Sequence, residues 1–250
     1  MSSYRPSAAK TLDPALADDV LRLHLNENPY GCSLLVRESL SIHDSLAHVP
    51  GPLPITLCRA LSRYALRPES ELYLVDSFDL LLERVLQTLL QGDRTLFAYT
   101  PTGTAFLSAT RRIGVHPVEV QRSEDCRLLA GALPTDRFGE RSVVYVGSPN
   151  DPTGDVAAAS ELVVMLNAGA VVVLDELYTE FSDKSPGLLG REFPGLVSLR
   201  SFAPWAGRGR TWQLSPRARS CRATRRPVRH GYWRPRGRAR RSTTRPSRTA

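Results

Sequence analysis

An α/β doubly wound domain is what this sequence predicts, and three observations carry that expectation. Short β-branched apolar runs alternate with helical patterns along the chain. Two of those runs, SVVYVG at 142–147 and AVVVLDE at 170–176, are apolar on both faces. Strands of that kind belong to parallel sheets covered by helices. A tight-turn segment, SPNDPTG at 148–154, follows the first run directly.

The other elements follow from periodicity and punctuation. Residues 33–48 have helical spacing with Ser33 as N-cap, and after Pro50-Gly51-Pro52 a second helical pattern covers 55–66. A strand is expected at 71–76, an amphipathic helix at 78–92 ended by glycine, and a strand at 95–99. Then come a helix at 104–113, a strand within 115–121, a helix over 156–167 and a last strand at 195–202. Alternating β and α units of this kind make an α/β fold. No internal repeat is present.

The chain of 250 residues has a formal net charge of +8, which is unevenly placed. Fifteen of its thirty-three basic residues are arginines from Arg208 onward, where no Asp or Glu occurs. The first 207 residues therefore hold eighteen basic against twenty-five acidic residues, a net of −7. Only Lys10 and Lys184 are lysines. That bias suggests a GC-rich coding sequence, which read out of frame yields runs of Arg, Pro, Ala, Gly and Ser. The tail has that composition, so the expectation is that the frame is lost just after Gly207 and that the tail is disordered. With Trp212, Tyr232 and Trp233 it could also attract nucleic acid non-specifically, through phosphates and base stacking. No recognised nucleic-acid motif accompanies the charge.

Cys32, Cys58, Cys126 and Cys221 lie far apart with no CxxC pair, so neither a disulfide framework nor a metal site is indicated. No apolar run reaches the length of a signal peptide or a membrane span. A cytoplasmic protein with no membrane partner is the expectation.

Asp175 stands at the carboxyl end of a buried strand, where open α/β sheets collect ligands. A carboxylate there is also what a simple turn cap requires. Its company changes the balance: LNENPYG at 25–31, SPNDPTG 24 positions upstream, VVVLDELYTEF at 171–181 and SFAPWAG at 201–207. Together these segments resemble the class I/II aminotransferases that use pyridoxal 5'-phosphate (PLP), and most of all the histidinol-phosphate aminotransferase branch. The resemblance spans about residues 21–207. It implies the three-layer large domain of a fold-type-I PLP transferase, incomplete, with residues 1–24 as an arm, 25–207 as the PLP domain and 208–250 as the Arg-rich tail. It also implies a homodimer and amino-group transfer between an amino acid or amino-alcohol phosphate and a 2-oxo acid.

PLP needs a lysine for its aldehyde, a carboxylate at its pyridine nitrogen, hydrogen bonds to its phenolic oxygen and a phosphate cradle. By resemblance Asp175 is the carboxylate, Tyr178 bonds the phenolic oxygen, Asp79 matches the aspartate of the cradle, and Asn28 and Tyr30 line the substrate side. Asp151 takes the place of an asparagine that donates to the phenolic oxygen, which an ionised carboxylate cannot do. In the cradle, Phe78 replaces a serine, and Val75 and Ser77 replace glycines. Gly103 stands where an aromatic stacks on the ring, and Val49 where a tyrosine reaches the neighbouring subunit's phosphate. Pro204 stands at the Schiff-base lysine, and neither Lys10 nor Lys184 matches it. Proline offers no nucleophile, so turnover is not expected and no catalytic residue is intact. The alternatives are a non-catalytic partner or regulatory pseudo-enzyme, and nucleic-acid binding through the tail.

Overall fold

The computed structural model describes residues 26–42, 54–134, 136–206 and the backbone of 211–214. The expected arm and most of the tail lie outside the described residues, as do Val49 and the second half of the helix expected at 33–48. Of that helix, α1 (Leu34–Ser41) is present, and Ser33 caps it by accepting from the Val36 amide at 3.4 Å.

Seven strands make one sheet. They are β1 (Leu72–Val75), β2 (Thr95–Thr100), β3 (Val118–Gln121), β4 (Ser142–Gly147), β5 (Val171–Asp175), β6 (Leu196–Ser201) and β7 (Thr211–Leu214). Their order is β1-β7-β6-β5-β4-β2-β3, with β7 antiparallel to both neighbours and the pairs from β6 to β3 all parallel. The helices are α2 (Ile55–Ala65), α3 (Phe78–Leu89), α4 (Thr104–Ile113), α5 (Ala159–Asn167) and the short α6 (Ala203–Ala206).

Alternation along the central strands assigns each side chain to a layer. Val143 and Tyr145 of β4, with Val171 and Val173 of β5, pack against Leu82, Leu86 and Phe106 of α3 and α4. Val144, Val146, Val172 and Leu174 point the other way, onto Leu162 and Met165 of α5. Because both faces are covered, β4 and β5 are buried along their whole lengths, which is why they read as unbroken apolar runs.

Three expectations need correction. The helix expected over 156–167 begins only at Ala159, because the Ala157 amide donates to Ser148 Oγ and holds 156–158 extended. The helix expected to run to Gly92 ends at Leu89. The third concerns the tail: it is not wholly outside the fold, since its residues Thr211–Leu214 form β7 between β1 and β6. A backbone ladder asks little of side-chain identity, and two facing strand edges offer hydrogen bonds to any extended segment between them. β7 thus pairs with β6 on the side away from β5.

Candidate active site

The site forms at the carboxyl edge of the parallel strands. Asp175 ends β5 and, by strand alternation, shares the α3/α4 side with Tyr145. Its Oδ2 accepts from the Tyr145 hydroxyl at 2.5 Å, and its Oδ1 accepts from the Leu177 amide at 2.9 Å. The turn-cap role is thus real, and it coexists with a second oxygen aimed across the sheet. Burial pushes the Asp175 carboxyl up to about 6, against the lowering effect of those two hydrogen bonds; nearby Glu176 and Asp151 add to the rise. Burial also raises the Tyr145 and Tyr178 hydroxyls.

This predicts a pH signature. A carboxyl at 3.8 when unfolded and about 6 when folded keeps its proton longer in the folded state. Its contribution to stability is full below pH 3.8 and is lost as pH rises through about 6. The loss is on the order of 3 kcal/mol. Urea melts should show that decline between those values, and Asp175→Asn should remove it.

The turn at 148–154 sits beside Asp175. The Ser148 amide donates to the Asp175 carbonyl at 2.8 Å, and the Gly154 amide closes the turn on the Asn150 carbonyl at 2.7 Å, with Gly154 at φ +71°. Outside the turn, Arg122 donates to Asp155 Oδ2 at 3.1 Å and to the Cys126 carbonyl at 3.2 Å. Asp151 points into two adjoining cavities. The inner one, about 90 Å³, is lined by Gly103, Tyr145, Asn150, Asp151, Asp175 and Tyr178 among others. The outer one, about 600 Å³, adds Glu27, Asn28, Tyr30 and Phe181.

Residues 26–30 wall the outer cavity, and two of them make long-range contacts. Asn26, in a left-handed conformation that asparagine tolerates, donates to the Tyr178 hydroxyl oxygen at 3.1 Å. Asn28 donates to the Trp205 carbonyl at 3.3 Å, beside Pro204. Pro204 occupies the first turn of α6, where its missing N–H is not needed. The structure therefore brings Asn28, Tyr30, Asp151, Asp175 and Tyr178 to the walls of the two adjoining cavities, whereas Pro204, in α6, lines neither. Asp79 is different. It lies exposed in the first turn of α3, 3.9 Å from Arg112, and lines neither cavity.

Sequence reasoning missed Tyr145, Asn26 and Glu176. Glu176 is buried and accepts from Ser185 Oγ at 2.7 Å, from the Gly187 amide at 3.1 Å and from Ser198 Oγ, with Arg200 Nε at 3.6 Å. Arg200 lies over the Tyr64 ring, and Tyr64 donates to Glu180 at 2.7 Å and stacks near Trp205. This network ties β5 and β6 to α2 and α6 beneath the site.

The fold is that of a pyridoxal-phosphate transferase large domain, and comparison with known proteins agrees. The family "Aminotransferase class I and II" matches residues 18–203, and the chain belongs to that family. Histidinol-phosphate aminotransferase of Methanosarcina barkeri is 31% identical over 200 residues, covering 79% of this chain and 54% of that protein. The enzyme of that name from Thermococcus gammatolerans is 32% identical over 189 residues, covering 73% and 54%. The chain thus spans about half the length of the curated relatives it matches. Histidinol-phosphate aminotransferase of Sinorhizobium meliloti, solved in complex with pyridoxal-5'-phosphate, superposes with a TM-score of 0.66 at 19% identity, covering 87% of this chain and 66% of that one. Among the described residues, no helix is long and apolar enough to cross a membrane.

The residues present fit the family's cofactor only in part. Asp175 suits a protonated pyridine nitrogen. The N-terminus of α3, where a phosphate would sit by resemblance, does not suit a dianion. Ser77 Oγ already accepts the Leu80 amide, Phe78 packs against the core, and Asp79 adds negative charge. The one lysine among the described residues, Lys184, is exposed and lines neither cavity. The site does not fit covalently held PLP.

Proposed function

We propose that this chain is a member of the histidinol-phosphate aminotransferase branch that does not turn over. By lineage its reaction is transfer of an amino group from an amino acid or amino-alcohol phosphate to a 2-oxo acid. The observation that carries the proposal is Pro204, a side chain without an amine in α6, at the sheet edge where Tyr145 bonds Asp175. Asp151, which cannot donate to a phenolate, supports it. Incubation with PLP, borohydride reduction and peptide mass mapping test it. No stoichiometric adduct is expected, and one confined to a single site peptide contradicts the proposal.

A second reading, as a non-catalytic partner, has one observation in its favour. None of the residues of α1 is buried, and Leu34, Leu35 and Leu40 with Ile42 just beyond it stand exposed. An apolar face of that extent suits a protein contact, either in a homodimer or with an intact aminotransferase. Leu34→Glu with Leu35→Glu should shift sedimentation toward the monomer or abolish co-purification with an intact aminotransferase; no change in either removes this reading.

A further inference from the structure

Thr211–Leu214 lie in a slot between two strand edges. β7 runs antiparallel to β1 on one side and to β6 on the other, with Gln213 opposite both Tyr73 and Leu199, and Trp212 opposite both Leu74 and Arg200. Each amide and carbonyl of a strand so flanked faces one neighbour or the other. Among the described residues β1 has no second strand partner, so this four-residue segment alone joins it to the sheet.

The walls of the slot set what can enter it. Tyr73 and Leu199 belong to the core on one face of the sheet, and Leu72 and Leu74 to the small cluster packed on α2 on the other. All four are buried. Arg200, the one charged residue of β6, stands opposite position 212 and pairs with Glu176 and Glu180. An entering arginine would lose water against apolar walls and meet a like charge across the pair. The tail's own sequence obeys that restriction. Residues 211–216 are its longest run without arginine, and the strand is drawn from that run.

We propose that the slot between β1 and β6 is a strand-accepting site. It takes an extended, uncharged peptide segment antiparallel to β6, held by main-chain hydrogen bonds as in strand addition. Residues 211–214 fill it in cis, and a segment of the same chemistry fills it in trans when they leave. A tethered strand competes at high effective concentration, so weakening the cis strand opens the site. No residue of β1, β6 or β7 lines either cavity, so the site stands or falls apart from the reading of Pro204.

Gln213→Pro in the full chain removes an N–H from the middle of β7 and leaves β1 and β6 unaltered. A fluorescein-labelled peptide of residues 209–216, followed by anisotropy, should bind this variant about tenfold or more tighter than it binds the native chain. Within the peptide, Trp212→Arg should weaken binding to the variant about tenfold more than Trp212→Ala does, and Gln213→Pro should abolish it. Equal affinity for variant and native chain overturns the proposal, as does equal affinity of the parent and proline peptides or of the arginine and alanine ones. No binding to the folded variant at millimolar concentration overturns it too. Should the variant fail to fold, hydrogen exchange of the native chain decides. Amides of 72–75 and 211–214 should exchange together, about tenfold or more faster than those of 171–174, because β7 is what joins β1 to the sheet. Protection of 72–75 equal to that of 171–174 overturns the proposal.

Discussion

Pro204→Lys should turn a chain that leaves PLP free into one that captures it in a borohydride-reducible link at residue 204. The backbone there is held by contacts that do not use the proline ring. Ser201 Oγ accepts the Ala203 amide at 3.1 Å, the Ala206 amide donates to the Phe202 carbonyl at 2.8 Å, and the Trp205 carbonyl accepts from Asn28. Lysine is a better helix former than proline and restores an N–H in the first turn. The Asp175↔Leu199 register sets α6 at the same sheet edge as the buried carboxylate. The expected change is from no adduct to a near-stoichiometric one at excess cofactor. Asp151→Asn in the same chain should strengthen capture, because it removes a charge that repels a phenolate. A lysine variant that folds yet gains no adduct would place residue 204 outside the site.

Glu176→Ala carries the largest expected effect on stability, about 3–5 kcal/mol, as for other buried ion pairs that lose one partner. Glu176 is 1% exposed, and its removal strands the Ser185 and Ser198 hydroxyls, the Gly187 amide and the partly buried Arg200. A cycle with Gly187 isolates the geometry. A Cβ at Gly187 would collide with the Glu176 carboxylate, so Gly187→Ala should destabilise the native chain by about 1–3 kcal/mol. In the Glu176→Ala background that cost should largely vanish, a coupling readable from urea midpoints. Additive losses would mean that Glu176 does not occupy the space beside Gly187.

The parts of this fold legible in the sequence are those that local pattern dictates. The runs at 142–147 and 170–176 read as buried strands because Val143 to Val146 and Val171 to Leu174 feed alternate faces of a covered sheet. Asp175 and Tyr178 were legible through the family resemblance of the segments around them. Tyr145 was not, since its bond to Asp175 depends on two strands pairing with Tyr145 opposite Val173. Glu176 looked like the second half of an acidic dipeptide, and only the fold shows it buried among serines. β7 was hidden because four residues inside an arginine-rich stretch carry no pattern of their own, and their place is fixed by the strands on either side. Asp79 matched a motif, yet it lies on the exposed end of α3, away from both cavities.

Steady-state transamination by the purified 250-residue chain is the most direct test, with PLP, a series of amino donors and 2-oxo acids supplied in excess. The account predicts product formation no faster than the protein-free mixture, at every donor and every protein concentration. Turnover that scales with protein and disappears in Asp175→Asn would contradict it.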